Sequence, residues 1–182
     1  NPTPTITVQP APTRPVVSVP APAPLLTRSG QGRVIRAFGD EISVLMGGRD
    51  NGGAYTAFLD QTPPGGGPPP HRHEREDEWF YVLDGEYTVY VGDERLSLTA
   101  GSLAFGPHGV PHTFIAETDG ATVLVGFQPF QFEGFIREVG EPAAERVLPP
   151  PPESPPDMER LLPIAARNGF NILGPPGPPP GR

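Results

Sequence analysis

Apolar and polar side chains alternate in short bursts along the middle of this chain, and glycine, proline and aspartate separate one burst from the next. A period of two sustained over four to eight residues marks a half-buried β-strand. The pattern predicts strands at 34–38, 42–46, 54–59, 78–83, 86–91, 94–98, 102–105, 112–117 and 121–127, with a further strand near 135–139. No long helical period interrupts them, which argues against an α/β fold and for an all-β sandwich or barrel.

One hairpin stands out. Asp84-Gly85 between two β-prone runs has the composition of a two-residue type I′ turn, in which both positions need φ > 0. It predicts Leu83 opposite Glu86, Val82 opposite Tyr87, Phe80 opposite Val89 and Glu78 opposite Val91. Strand alternation then groups Glu78, Phe80, Val82, Tyr87, Val89 and Val91 on one face, and Trp79, Tyr81, Leu83, Thr88 and Tyr90 on the other. A carboxylate on an otherwise apolar face is costly unless paired, so Glu78 calls for a partner. The opposite face is also largely apolar and needs cover from a second sheet, the terminal arms or another subunit.

Proline sets the limits of the folded part. Of 29 prolines, 8 precede Leu25 and 13 lie from Pro142 onward. The expected division is a Pro-rich N-terminal arm at 1–27, a globular domain at 28–141 and a Pro-rich extension at 142–182. The β-prone islands 5–9 and 16–19 suit either a tether or an arm lying along a neighbouring subunit. In the extension, 149–152 and 155–156 form a stiff spacer, and 157–169 is predicted helical. Asp157 can cap that helix, Met158, Leu161, Leu162 and Ala165 form its stripe, and Gly169 can end it. Pro163 is expected to kink or split it. The helix suits either a packing accessory or a lid, and 174–182 is expected to be disordered.

Charge and cysteine usage remove several function classes. Thirteen basic and 21 acidic residues give a net charge of -8, with no basic run to meet phosphates, so neither nucleic acid nor anionic membrane is an expected partner. No transmembrane stretch exists in the sequence. Without cysteine there is no disulfide, thiolate ligand or thiol nucleophile. No signal-peptide pattern opens the chain, and the expected location is the cytoplasm.

The chemistry concentrates in one stretch. All four histidines lie between residues 71 and 112. His71 and His73, two apart on an extended segment, point the same way; Glu78 follows, and His112 opens a later strand. Three imidazoles and a carboxylate suit one divalent transition metal (Fe, Mn, Ni, Co or Zn), and four ligands in an octahedral arrangement leave two open positions. Glu74, Glu76 and Asp77 suit a solvated loop paired with Arg72 and Arg75, or groups that orient the imidazoles. Phe80, Tyr87, Phe105 and Phe114 are candidates for an apolar wall.

Two glycine-framed motifs carry these residues: Gly65-x5-His71-x-His73-x4-Glu78-x6-Gly85, and Gly101-x5-Pro107-x-Gly109-x2-His112-x3 followed by Ala116. In order and spacing they resemble the paired motifs of the cupins, except that Ala116 stands where that family usually has Asn. The resemblance extends over about residues 33–139. It implies a double-stranded β-helix, or jelly-roll barrel, with a metal inside one end held by His71, His73, Glu78 and His112. His108 falls at a variable turn position and is expected at the surface.

Residues 71–86 resemble the quercetin 2,3-dioxygenase-like cupins in particular. That resemblance implies a metal-dependent dioxygenase acting on a small phenolic or enolic, flavonol-like substrate. Glu78 would be a ligand and also hydrogen-bond to or deprotonate the substrate hydroxyl. The same ligand set equally implies a non-oxidative isomerase, cyclase or decarboxylase, or a small-molecule-binding protein without turnover, because a shared fold does not fix function. An aromatic or apolar small molecule and a homodimer are the expected partners.

Overall fold

The computed structural model describes residues 23–150 and 156–179. The islands at 5–9 and 16–19, most of the proline spacer and the last three residues lie outside them. In chain order the strands are β1 (Arg33–Ala37), β2 (Asp40–Met46), β3 (Thr56–Thr62), β4 (His71–His73), β5 (Asp77–Asp84), β6 (Glu86–Val91), β7 (Glu94–Thr99), β8 (Leu103–Gly106), β9 (His112–Ala116) and β10 (Ala121–Gln128). Helix α1 (Phe132–Val139), β11 (Glu141–Ala143), α2 (Met158–Arg167) and β12 (Phe170–Ile172) complete the order.

These strands form two antiparallel sheets, ordered β11-β1-β2-β3-β10-β5-β8 and β12-β4-β9-β6-β7. Alternation decides which side chains meet between them. Phe58, Phe80, Val82, Val123 and Val125 from the first sheet join Tyr87, Val89, Leu98 and Phe114 from the second in one buried core. Each such side chain stabilises the fold by about 1.5–3 kcal/mol through burial. The result is an all-β jelly roll, the all-β class that the strand pattern predicts and the architecture that the cupin resemblance implies.

The Asp84-Gly85 hairpin differs from expectation. β5 pairs with β10 and β8 in one sheet, whereas β6 pairs with β9 and β7 in the other. Asp84 stays in β5 opposite Thr122, and only Gly85 adopts positive φ, at 77°. A Cβ there would meet the Ala121 backbone at 2.9 Å, so glycine lets the chain cross between sheets at this point. The face assignment survives for Phe80, Val82, Tyr87 and Val89, which all point into the core. A hairpin turn with two positive-φ residues lies instead at Phe38-Gly39 (φ 57° and 93°), where Ala37 pairs with Asp40 to close the β1–β2 hairpin. The Phe38 ring is held there by stacking on Phe135, with centroids 6.0 Å apart.

The strand expected at 135–139 is helix α1. Phe132, Phe135, Ile136 and Val139 recur at i, i+3, i+4 and i+7, so helical spacing prevails over the β preference of the individual residues. Helix α2 runs unbroken through Pro163, which sits on its exposed side, and Asp157 caps it by accepting from the Arg160 N–H at 3.2 Å. Its buried stripe is Leu161, Ile164 and Ala165, while Met158 and Leu162 face outward. β12, which the sequence pattern did not reveal, follows α2 and pairs with β4, setting Phe170 opposite His73 and Ile172 opposite His71. No helix among the described residues is long and apolar enough to cross a membrane.

Candidate metal centre

β4, β5 and β9 bring His71, His73, Glu78 and His112 together, each buried, with one ligand atom from each within 4.8 Å of the others. Strand alternation sends His71 and His73 inward while Arg72 faces out. β9 sets His112 directly opposite His71, and Glu78 arrives from the facing sheet. Glu78 Oε2 is the hub. It lies 2.8 Å from His112 Nε2, 3.1 Å from His73 Nε2 and 3.8 Å from His71 Nε2.

Backbone carbonyls orient two of the rings. His71 Nδ1 lies 2.8 Å from the Pro69 carbonyl, and His112 Nδ1 lies 2.8 Å from the Val110 carbonyl. With Nδ1 donating, Nε2 of a neutral ring is an acceptor aimed at a carboxylate, itself an acceptor. A cation shared among them satisfies every one of these atoms, so the donor set fits a divalent transition metal. Burial and then the His112 ring push His71 down to about 4, which keeps it neutral at neutral pH. Burial opposes the charged form of Glu78, but its contacts with the His112, His71 and His73 rings hold its carboxyl well below the usual range. Burial also opposes the charged form of His112, and the Glu78 contact outweighs it and raises His112.

The neighbouring acids divide. Glu74 is held by Asn171 Nδ2 at 3.0 Å, and Asp77 accepts from the backbone and ring of the exposed His108 at 2.9 and 2.7 Å. Glu76 departs from the solvated-loop reading: it is fully buried, neither carboxylate oxygen has a hydrogen-bond partner, and Oε2 lies 3.9 Å from His73 Nδ1. Burial raises its pKa. Where the motif departs at Ala116, the backbone does the anchoring. The Ala116 carbonyl accepts from the Gly65 N–H at 2.8 Å, and its N–H donates to the Gly66 carbonyl at 3.0 Å.

His71 and Glu78 open onto a cavity walled by Phe38, Phe58, Phe114, Phe127, Phe132, Phe135 and Phe170. Its volume, counted as space open to the centre of a water molecule, is about 40 Å³. Of the aromatic wall expected from sequence, only Phe114 lines it. Phe80 and Tyr87 pack behind Phe114 at 5.8 and 5.6 Å, and Phe105 is 52% exposed on the outer face. The rings of Phe170 and Phe132 instead flank the histidines, at 4.6 Å from His71 and 4.7 Å from His73. Asp40 and Asp60 also line the cavity. Neither is among the site residues expected from sequence, although Asp40 is in phase with Ile42 and Asp60 with Phe58, as Glu78 is with Phe80.

Residues 58–126 match the family model described as Cupin domain. Over 132 residues, 72% of this chain, the sequence is 24% identical to quercetin 2,3-dioxygenase of Bacillus subtilis, and the match takes in 39% of that protein. The chain therefore spans well under half the length of this relative. Among solved structures, KdgF from Halomonas sp. superposes with a TM-score of 0.52 at 21% identity, covering 59% of this chain and 94% of that one. A predicted oxalate decarboxylase from Thermotoga maritima gives 0.52 at 22% identity, covering 58% and 99%. At these identities the structural likeness speaks to fold alone.

Proposed function

We propose that this chain, which carries a cupin domain resembling those of the quercetin 2,3-dioxygenase-like cupins, is a metal-dependent dioxygenase of a small phenolic or enolic substrate. The observation that supports it most is the position of Glu78, a carboxylate in contact with three imidazoles that also faces a cavity of phenylalanine rings. His71, His73, Glu78 and His112 would hold one divalent transition metal, Fe, Mn, Ni or Co, with Zn as the redox-inert counterpart. When bound, the metal supplies Lewis acidity toward the substrate oxygen and, for the redox-active ions, a centre for dioxygen chemistry.

The protein's own residues do the remaining work. The phenylalanine wall packs the substrate ring and excludes water, which strengthens every polar contact at the closed end. Glu78, ionised and held by its histidine contacts, stands where it can accept the hydroxyl proton. The small cavity favours a compact enolic or phenolic compound, and a full flavonol would need the wall to open. Oxygen uptake by protein loaded separately with each ion, with single-ring and flavonol substrates in air and under argon, tests the proposal.

A non-oxidative reading draws on Asp40 and Asp60, two further carboxyls raised by burial in the cavity that holds the lowered Glu78. Carboxyls whose environments push their pKa values apart suit proton transfer, as an isomerase or decarboxylase requires. Equal turnover under argon, or with Zn, would favour it.

The assembly we propose is a homodimer in which residues 28–141 form the cupin domain, 1–27 an arm and 142–182 an extension whose Phe170 reaches the cavity. Tyr81, paired with Leu103, and nearby Leu83 and Phe105 expose large apolar groups on the outer face of β5 and β8, with β8 at the sheet edge. A second copy covering that face would bury them, and light scattering of the full chain checks the stoichiometry.

A further inference from the structure

Beyond the histidine cluster the cavity holds a second polar centre, and we propose that Asp40 and Asp60 form a carboxyl pair that binds a hydroxyl group on the part of the substrate remote from Glu78. The inference rests on the phenolic reading above for the identity of the substrate ring.

Strand register separates the two centres. Glu78 on β5 is opposite Phe127 of β10, whereas Asp60 on β3 is opposite Val123, four residues further along the same strand. Ile42 on β2 is opposite Asp60, so Asp40 lies further still from the histidine end. Both aspartates are more than nine-tenths buried, both line the cavity, and Oδ1 of each has no hydrogen-bond partner among the described residues. A buried carboxyl left unpaired in a core is destabilising, and a ligand that donates to it removes that penalty.

The surroundings define the ligand chemistry. No lysine or arginine lines the cavity, so nothing at this end pairs with a carboxylate or phosphate group. Burial raises Asp40, and burial with the charges of Glu78 and Glu41 pushes Asp60 up to about 8. A carboxyl held neutral attracts an ammonium group weakly and binds a neutral hydroxyl as both acceptor and donor. The substrate class is therefore a small ring carrying two hydroxyls, one near Glu78 and one near the aspartate pair.

Binding to the full chain, read by ligand-observed NMR, tests this without turnover. The probes are phenol, 4-methoxyphenol, resorcinol, hydroquinone and 4-(hydroxymethyl)phenol, with 1-butanol and 1,4-butanediol as a ring-free pair. At least one dihydroxy ring should bind about tenfold more tightly than its partner lacking the second donor. Asp40→Leu and Asp60→Leu should erase that gap, and Asp60→Asn, which keeps the shape of the side chain, should retain part of it. Phenols that bind with no gap, or a gap that persists in the variants, would overturn the subsite and leave the phenolic reading standing. A gap confined to the butanol pair, with no phenol bound, would support the subsite and overturn the phenolic reading. No binding by any probe would overturn both.

Discussion

Glu78 and His112 stand 34 residues apart, yet Oε2 of one lies 2.8 Å from Nε2 of the other. The contact spans the two sheets, since β5 belongs to one and β9 to the other. The polar cluster thus sits where the sheets face each other, flanked by rings from β12 and α1. Removing one imidazole should therefore disturb the ligand set far more than the fold, whose core is apolar. His71→Ala, His73→Ala and His112→Ala should each purify with less than one metal per chain while keeping the β-sheet circular dichroism of the parent. Elemental analysis beside the spectra checks this, and full occupancy in all three would exclude the ligand assignment.

The strand pattern located nine strands to within a few residues, because alternation survives wherever one face meets the core. It failed where tertiary context decided the outcome. Asp84-Gly85 has the composition of a hairpin turn, but whether the following strand pairs back or crosses to the facing sheet depends on which neighbours β10 and β9 supply. β12 has only three residues between helix α2 and a proline-rich tail, too few for a period to show, although its Phe170 touches two of the candidate ligands. The clustering of His71, His73, Glu78 and His112 was legible because alternation fixes the direction of a side chain on a short strand and because the two motifs resemble those of the cupins. Glu76 was not, since its neighbours Glu74 and Arg75 are exposed and nothing local distinguishes it.

Glu76 offers its carboxylate to the back of the His73 ring, 3.9 Å from Nδ1. We expect Glu76→Gln to fold normally and to bind metal about tenfold more weakly, as loss of a group that orients a ligand imidazole commonly does. Competition with a calibrated chelator measures the change, and an unaltered affinity would reduce Glu76 to a filler of space.

Phe170 ties the extension to the barrel, with ring centroids 4.5 Å from Phe135 and 5.2 Å from Phe132. Phe170→Ala should lower unfolding free energy by about 3–5 kcal/mol, the usual range for emptying such a site. Urea denaturation reads this directly, and a change below about 1 kcal/mol would mean that β12 is dispensable to the core.

Asp60 gives stability a pH dependence of definite sign. In the unfolded chain it ionises near 3.8, whereas burial, with the charges of Glu78 and Glu41, keeps it protonated up to about 8 in the fold. Between those values the unfolded state has released a proton that the native state retains, so this contribution to stability falls as pH rises. Asp60→Asn cannot ionise. Its Tm should decline less than that of the parent between about pH 5 and pH 8, and parallel declines would mean that Asp60 ionises normally.

Insertion of dioxygen into a ring or enol bound beside Glu78 is open to a test by isotopic labelling. The full chain, loaded with the most active redox-capable ion, is supplied with labelled dioxygen and a phenolic or enolic substrate, and the products are weighed. A dioxygenase should give two labelled oxygen atoms per turnover, no reaction under argon, and a turnover number that collapses in Glu78→Gln while substrate affinity changes little. Products that carry no label, formed equally well without oxygen, would contradict it.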